Sequence, residues 1–260
     1  MQPQRTGLTA LITLLATVST PLYVSFSVTF AGSRVLAQTA DTREVPATVQ
    51  GSANLSPNGK SDNFDYWFNL GKSLLGKQKY AEALAAYDKA IQLNTNSESA
   101  WQNRGNALYN MKRYEEAIAS YDRAIKINPD YTSGWYGRGR ALEKLERYKE
   151  AIASFDNVIR LSPDSEKAWF QRGIALGTLE QHQDAFAAFD RVTHINPKSE
   201  AGWYNRGFAL WKLKQYKEAI DSFNAVLRIN PNRTEAQSNI KRLLRQLRQQ
   251  REASVASISL

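Results

Sequence analysis

The chain holds two histidines, His182 and His194, and no cysteine. The lack of thiols excludes disulfide staples, thiolate metal ligands and cysteine nucleophiles. The two imidazoles stand twelve residues apart without companion ligands, which argues against a zinc site. Neighbouring carboxylates such as Glu115 and Glu116 read as a solvated helix face rather than an acid–base pair. No glycine-rich phosphate loop, nucleophile elbow or Walker pattern occurs. These residues predict no enzyme, no cofactor and no metal.

The remaining chemistry is charge. Arginines at 104, 138, 172 and 206 alternate with aspartates at 88, 122, 156 and 190. Joining each aspartate to the arginine that follows gives Asp88–Arg104, Asp122–Arg138, Asp156–Arg172 and Asp190–Arg206. At the far end both partners vanish together, because Asn224 would face Ile240; at the start, Leu70 has no aspartate before it. The series is expected to form structural ion pairs between successive units. The alternative is an arginine row for anionic ligands. The net charge of +9 is spread over the chain, with a mildly basic body and a more basic C-terminal end. It falls short of the one-sided patch of a nucleic-acid binder, so nucleic acid is not expected as a partner.

These residues recur because the segments that carry them recur. Trp occurs at 67, 101, 135, 169 and 203, a fixed interval of 34 residues. Four positions on stand Gly71, Gly105, Gly139, Gly173 and Gly207. The same interval carries Ala83, Ala117, Ala151, Ala185 and Ala219, and then Tyr87, Tyr121, Phe155, Phe189 and Phe223. A proline closes each unit at 129, 163, 197 and 231, with Thr95 in the first. Trp and Gly share one helical face, and glycine lets a paired helix approach closely at a propensity cost of about 1 kcal/mol. A single helix pair cannot hide its apolar face, so each needs its neighbours.

The pattern Trp, Gly, Tyr, Ala, Phe, Pro at these offsets resembles the tetratricopeptide repeat family. It spans 64–233 as five units: 64–97, 98–131, 132–165, 166–199 and 200–233. It departs where the family has Leu before the Gly: only Leu70 fits, and the other units have Arg. The resemblance implies an all-α, right-handed α-solenoid of helix-turn-helix repeats. It also implies that the first helix of each hairpin lines a concave groove. The family's groove positions fall on Phe68 and Lys72; on Gln102, Asn103, Asn106, Tyr109 and Asn110; on Tyr136, Arg140 and Lys144; on Phe170 and Ile174; and on Tyr204, Phe208, Trp211 and Lys212. These positions lie away from the Trp–Gly face, so core packing is not expected to explain them. The groove would be aromatic throughout, with an amide cluster in the second repeat and cations in the first, third and fifth. An apolar, partly acidic peptide suits it. The lysine–asparagine clamp for C-terminal carboxylates used by one subgroup is not expected, since Phe68 and Gly137 stand at two of its positions.

The flanks differ in character. Residues 1–37 combine Arg5, two apolar blocks and small residues before Ala37, which reads as a cleaved export signal or a membrane anchor through residues 8–32. Either would place the repeats outside the cytoplasm, in a periplasm, a lumen or the extracellular space. Residues 38–63 are polar with Pro46, Gly51, Pro57 and Gly59, a flexible linker. From 234 to 251 the repeat pattern decays into a helix with an apolar stripe of Ile240, Leu243, Leu244 and Leu247 opposite Lys241, Arg245 and Arg248. This predicts a capping helix, with a frayed tail over 252–260. The expected function is a non-catalytic protein-interaction scaffold that holds a peptide or protein segment and assists assembly of an envelope or membrane complex. Binding of an anionic surface, nucleic acid or acidic lipid, by the basic C-terminal helix is the alternative.

Overall fold

The computed structural model describes residues 63–258. The expected export signal or anchor and all but the last residue of the linker lie outside the described residues. Eleven α-helices make up the described chain. They are α1 (Phe64–Gly76), α2 (Tyr80–Leu93), α3 (Glu98–Asn110), α4 (Tyr114–Ile127), α5 (Thr132–Lys144), α6 (Tyr148–Leu161), α7 (Glu166–Thr178), α8 (His182–Ile195), α9 (Glu200–Lys212), α10 (Tyr216–Ile229) and α11 (Thr234–Ile258). Among the described residues no helix is long and apolar enough to cross a membrane.

Each odd helix packs on the even helix that follows it, and each even helix packs on the next odd one. The result is an all-α solenoid of five hairpins closed by α11. The odd helices also touch one another directly, α1 with α3 and α3 with α5.

The glycines show why the hairpins close. A Cβ at Gly71 would come 2.6 Å from the Tyr87 ring, and one at Gly139 would come 2.6 Å from the Phe155 ring. The second-helix aromatic therefore lies flat on the first-helix glycine, where any side chain would push it away. These rings are the centre of the core: Tyr87, Phe155 and Phe223 are fully buried. Leu108, Leu142 and Leu210 flank them, also buried.

The tryptophans behave differently from a core residue. Only Trp67 is buried, and the other four are half-exposed. The indole N–H of Trp135 donates to the carbonyl of Pro129 at 2.8 Å; Trp169 and Trp203 do the same to Pro163 and Pro197, and Trp101 to Thr95. Each indole thus latches its helix to the turn that ends the preceding repeat. In α11, Gln237 occupies the Trp position and its amide makes the equivalent bond to Pro231 at 3.0 Å.

The turn inside each hairpin is a Schellman-type cap. The amide of Arg147 donates to the carbonyl of Leu142 at 3.0 Å, and the residue between the helices, Glu146, has φ of 58°. Gln78, Lys112, Glu180 and Lys214 are left-handed at the same place, with φ from 59° to 62°. Five non-glycine residues thus accept a conformation costing about 1–2 kcal/mol each. Replacing Glu146 by Gly is expected to raise stability by about 0.5–1 kcal/mol after the entropic cost of glycine. A thermal melt checks it: the variant should unfold a few degrees higher.

Between repeats the chain turns at Asn94, Asn128, Ser162, Asn196 and Asn230. Four of these are asparagines whose side-chain oxygen accepts from the amide two residues on, as Asn128 does from Asp130 at 3.1 Å.

Helix α11 corrects two expectations. It continues past 251 to Ile258, because neither Gly nor Pro interrupts it and Ala253 and Ala256 favour helix. Its apolar stripe is narrower than expected. Leu243 is fully buried against the last hairpin, with Ile240 packed beside it, but Leu244 is 53% exposed. At 100° per residue, Leu244 falls on the flank next to Arg248 rather than beneath Leu243.

Candidate functional site

The arginine series sits between hairpins. Arg104, Arg138, Arg172 and Arg206 bring Nε to 2.7–2.8 Å from Asp88, Asp122, Asp156 and Asp190 of the preceding repeat. The arginines are only 20–24% exposed, so each pair contributes more than an open surface bridge. A partner that was not foreseen completes the arrangement. Nη1 of Arg104, Arg138 and Arg206 donates to Ser120, Ser154 and Ser222 at 2.7–2.8 Å. Those hydroxyls are fully buried and donate in turn to the carbonyls of Glu116, Glu150 and Glu218. One guanidinium therefore ties three helices, and the signal was in the sequence: serine stands sixteen residues after three of the four arginines. With Nε of all four and Nη1 of three committed inside the stack, this row is unsuited to anionic ligands.

The face of the odd helices carries the expected groove residues. Its aromatics also have a structural duty. Phe68 stacks on Phe64 at 5.4 Å and meets Tyr87 edge-on; Tyr136, Phe170 and Tyr204 meet Phe155, Phe189 and Phe223 at 5.5–5.9 Å. Core packing thus explains one side of each ring, because the position after Trp leans over the second-helix aromatic. Tyr136 and Phe170 also line a cavity, and all four residues are half-buried.

The amide cluster is partly self-satisfied. Asn103 and Asn110 donate to carbonyls of their own helix, at Ser99 and Asn106, both at 2.8 Å. Asn106 accepts the Tyr121 hydroxyl at 2.9 Å, leaving its NH2 for a ligand. Burial raises the Tyr121 phenol, so it remains a neutral donor. Gln102 forms no hydrogen bond among the described residues. Of the expected amides, Gln102 and Asn106 have NH2 groups that donate to nothing among the described residues.

The cations differ in freedom. Lys72, Lys144 and Lys212 are exposed, with Lys72 over the Phe68 ring and Lys212 over the Phe208 ring. Arg140 lies over the Tyr109 ring and donates to its hydroxyl at 3.0 Å. Phe208 is 37% exposed, and Ile174 is half-buried. At the far end α11 takes up two of the expected residues. Asn239 donates to the Tyr204 hydroxyl at 3.3 Å, and the Trp211 indole donates to Gln246 at 3.0 Å. Tyr204 and Trp211 therefore anchor the cap.

Two residues on this face were missed, Glu143 and its partner Gln171. Glu143 occupies the position held by Tyr109 one repeat earlier, so the interval could have found it. Its side chain is 13% exposed, accepts from Gln171 at 3.0 Å and lies 3.9 Å from Arg140 Nε. Burial pushes its carboxyl up from 4.5 to about 7, against the pull of Arg140, Gln171 and Lys144. The folded chain keeps that proton after the unfolded chain has released it. Its contribution to stability is therefore full below about pH 4.5 and lost as pH rises through about 7. Glu143→Gln should become the more stable form as pH climbs from about 5 to about 8, by roughly 2 kcal/mol. Parallel chemical melts of both chains across pH check this. Beside it lies a cavity of about 300 Å3, lined by Tyr136, Glu166, Lys167, Phe170, Gln171, Ser199 and Ala201.

His182 begins α8, and His194 Nδ1 lies 2.8 Å from the Asp190 carbonyl on its own helix. Among the described residues no cluster of His, Asp and Glu could hold a metal ion.

Comparison with known proteins agrees with this geometry. Sequence profiles of the tetratricopeptide repeat match residues 64–97, 99–131, 133–165 and 201–233. None of the curated proteins matches the chain. Among solved structures, YrrB, described as a TPR protein with an unusual peptide-binding site, is 24% identical. The similarity covers 69% of this chain and 93% of that one, with a TM-score of 0.61. MamA from Desulfovibrio magneticus RS-1, as a fragment from residue 41 to the end, is 21% identical over 68% of this chain and 99% of that one, with a TM-score of 0.62. Another MamA structure is 18% identical, covering 66% and 94%, with a TM-score of 0.61. The repeat profiles, the five hairpins and these shared folds coincide, and the chain belongs to the tetratricopeptide repeat family.

Proposed function

We propose that the odd-helix face binds an extended or helical peptide segment, with its anchor between repeats three and four. Tetratricopeptide repeats are protein-interaction scaffolds, and this chain is read as a non-catalytic one. The observation that carries the reading is the cavity between Tyr136 and Phe170. It pairs two accessible aromatic faces with Lys167 and the Gln171 amide, an apolar socket with polar groups at its rim. Lys72, Arg140, Lys144, Lys167 and Lys212 lie on the odd helices, whereas burial raises the Glu143 carboxyl and Glu166, in the cavity lining, is bonded to Asn196 and Ser199. A peptide with an apolar anchor and flanking acidic groups is complementary to it. The likeness to YrrB supports peptide binding by analogy of fold. An exported or membrane-anchored position, through residues 1–37, and a role in envelope assembly complete the proposal.

The test is selection from a displayed random-peptide library on the full chain, followed by affinity measurement with the Tyr136→Ala/Phe170→Ala variant. Selected peptides should carry aromatic or aliphatic anchors with Asp or Glu nearby. The double variant should weaken them by roughly 30-fold or more, the scale of losing two interface anchors. Peptides that bind the variant unchanged would move the site elsewhere.

A further inference from the structure

The arginines of the hairpins are almost all engaged. Arg104, Arg113, Arg138, Arg140, Arg147, Arg160, Arg172, Arg191 and Arg206 each lie within 4 Å of a carboxylate. Helix α11 is the exception. Lys241, Arg242, Arg245, Arg248 and Arg251 are all exposed, and none has an ion pair among the described residues. Glu252, one turn past Arg248, is paired with none of them. Lys241, Leu244, Arg245 and Arg248 follow the spacing i, i+3, i+4, i+7 and share one side of the helix. That side faces away from the last hairpin, because Ala236, Asn239 and Leu243 are the buried positions. Leu244, at 53% the most exposed large hydrophobic residue of the described chain, sits among the cations.

We infer that the outer side of α11 docks on an anionic lipid surface. Unpaired cations in one row favour phosphate headgroups, each worth about a fivefold gain at an anionic membrane. An exposed leucine at their centre suits the boundary between headgroups and acyl chains, where its apolar surface leaves water. A nucleic acid would supply the same phosphates. It would gain nothing from Leu244, and α11 offers no aromatic ring on which a base could stack. Most arginines of the repeats are instead tied to carboxylates.

The test is flotation of the full chain with vesicles of phosphatidylcholine, alone or mixed with phosphatidylglycerol. Residues 1–37 are common to every variant, so the readout is the excess partition onto the anionic vesicles. That excess should be present, should fall as salt is raised, and should drop by roughly 30-fold in Arg245→Gln/Arg248→Gln. Arg245→Lys/Arg248→Lys should retain it, and Leu244→Ser should reduce it without altering the salt dependence. Circular dichroism should show unchanged helix content, since these side chains hold no intramolecular partner. Equal partition onto the two vesicle types would overturn the inference. So would an excess that survives the Gln variant, or an excess lost equally in the Lys variant. Duplex or single-stranded oligonucleotides that bind more tightly than the anionic vesicles, and are unaffected by Leu244→Ser, would reassign the surface to nucleic acid. The groove proposal is independent of every one of these outcomes.

Discussion

Phe155→Ala should destabilise the chain by about 3–5 kcal/mol, the range for deleting a fully buried aromatic side chain. The ring has no exposure, and it fills the space between Gly139 of its own hairpin and Tyr136 beside it. Leu108 and Leu142 pack in the same cluster, which spans the second and third repeats. The hole therefore opens within a shared core, and neither hairpin can close it alone. In a solenoid the loss spreads to neighbours through their interfaces. Denaturant melts should show the lower midpoint, and hydrogen exchange should quicken in α3 to α6 before α9 and α10. A midpoint within 1 kcal/mol of the parent would show that the ring is not the keystone of the hairpin.

Two glycine substitutions should have opposite signs. Gly139→Ala places a methyl 2.6 Å from the Phe155 ring, which is fully buried and has nowhere to retreat. Overpacking of this kind costs about 1–3 kcal/mol or more, which exceeds the gain of about 1 kcal/mol in helix propensity. Gly177→Ala, in α7, meets nothing within 4 Å and keeps the whole propensity gain. Because both variants gain the same propensity, the two melts should separate by the overpacking cost, about 1–3 kcal/mol or more, with the parent between them. Both substitutions add the same methyl to the same repeat frame, so only the neighbour of the Cβ can divide them.

The repeat frame was legible because its residues serve geometry. Glycine is needed wherever a ring lies on a helix, and Asn-Pro wherever the chain must turn, so both recur with the fold. The Asp–Arg series was legible for the same reason: partners that meet across an interface change together, as Asn224 and Ile240 do. What escaped was chemistry that different residue types can supply. Gln237 replaces Trp, yet its amide makes the same bond to a turn carbonyl as the indole. Ser120, Ser154 and Ser222 look like ordinary small helix residues until an arginine is placed over them. Leu244 reads as apolar stripe by residue type, but the helix turn carries it onto the flank. The groove was harder still. Spacing locates Tyr136 and Phe170 on the odd-helix face, but it does not tell that one side of each ring covers the core, at Phe155 and Phe189. Glu143 was passed over because acidic residues are ordinarily solvated, whereas burial between Arg140 and Gln171 makes this one an uncharged donor for part of the pH range.

The most direct test is hydrogen–deuterium exchange of the full chain with and without a peptide selected on it. Binding across the odd-helix face should slow exchange in α3, α5 and α7, most strongly around Tyr136, Arg140 and Phe170, and leave the outward sides of α4, α6 and α8 unchanged. Protection concentrated in the even helices, or confined to α11, would contradict a ligand lying along the row of first helices.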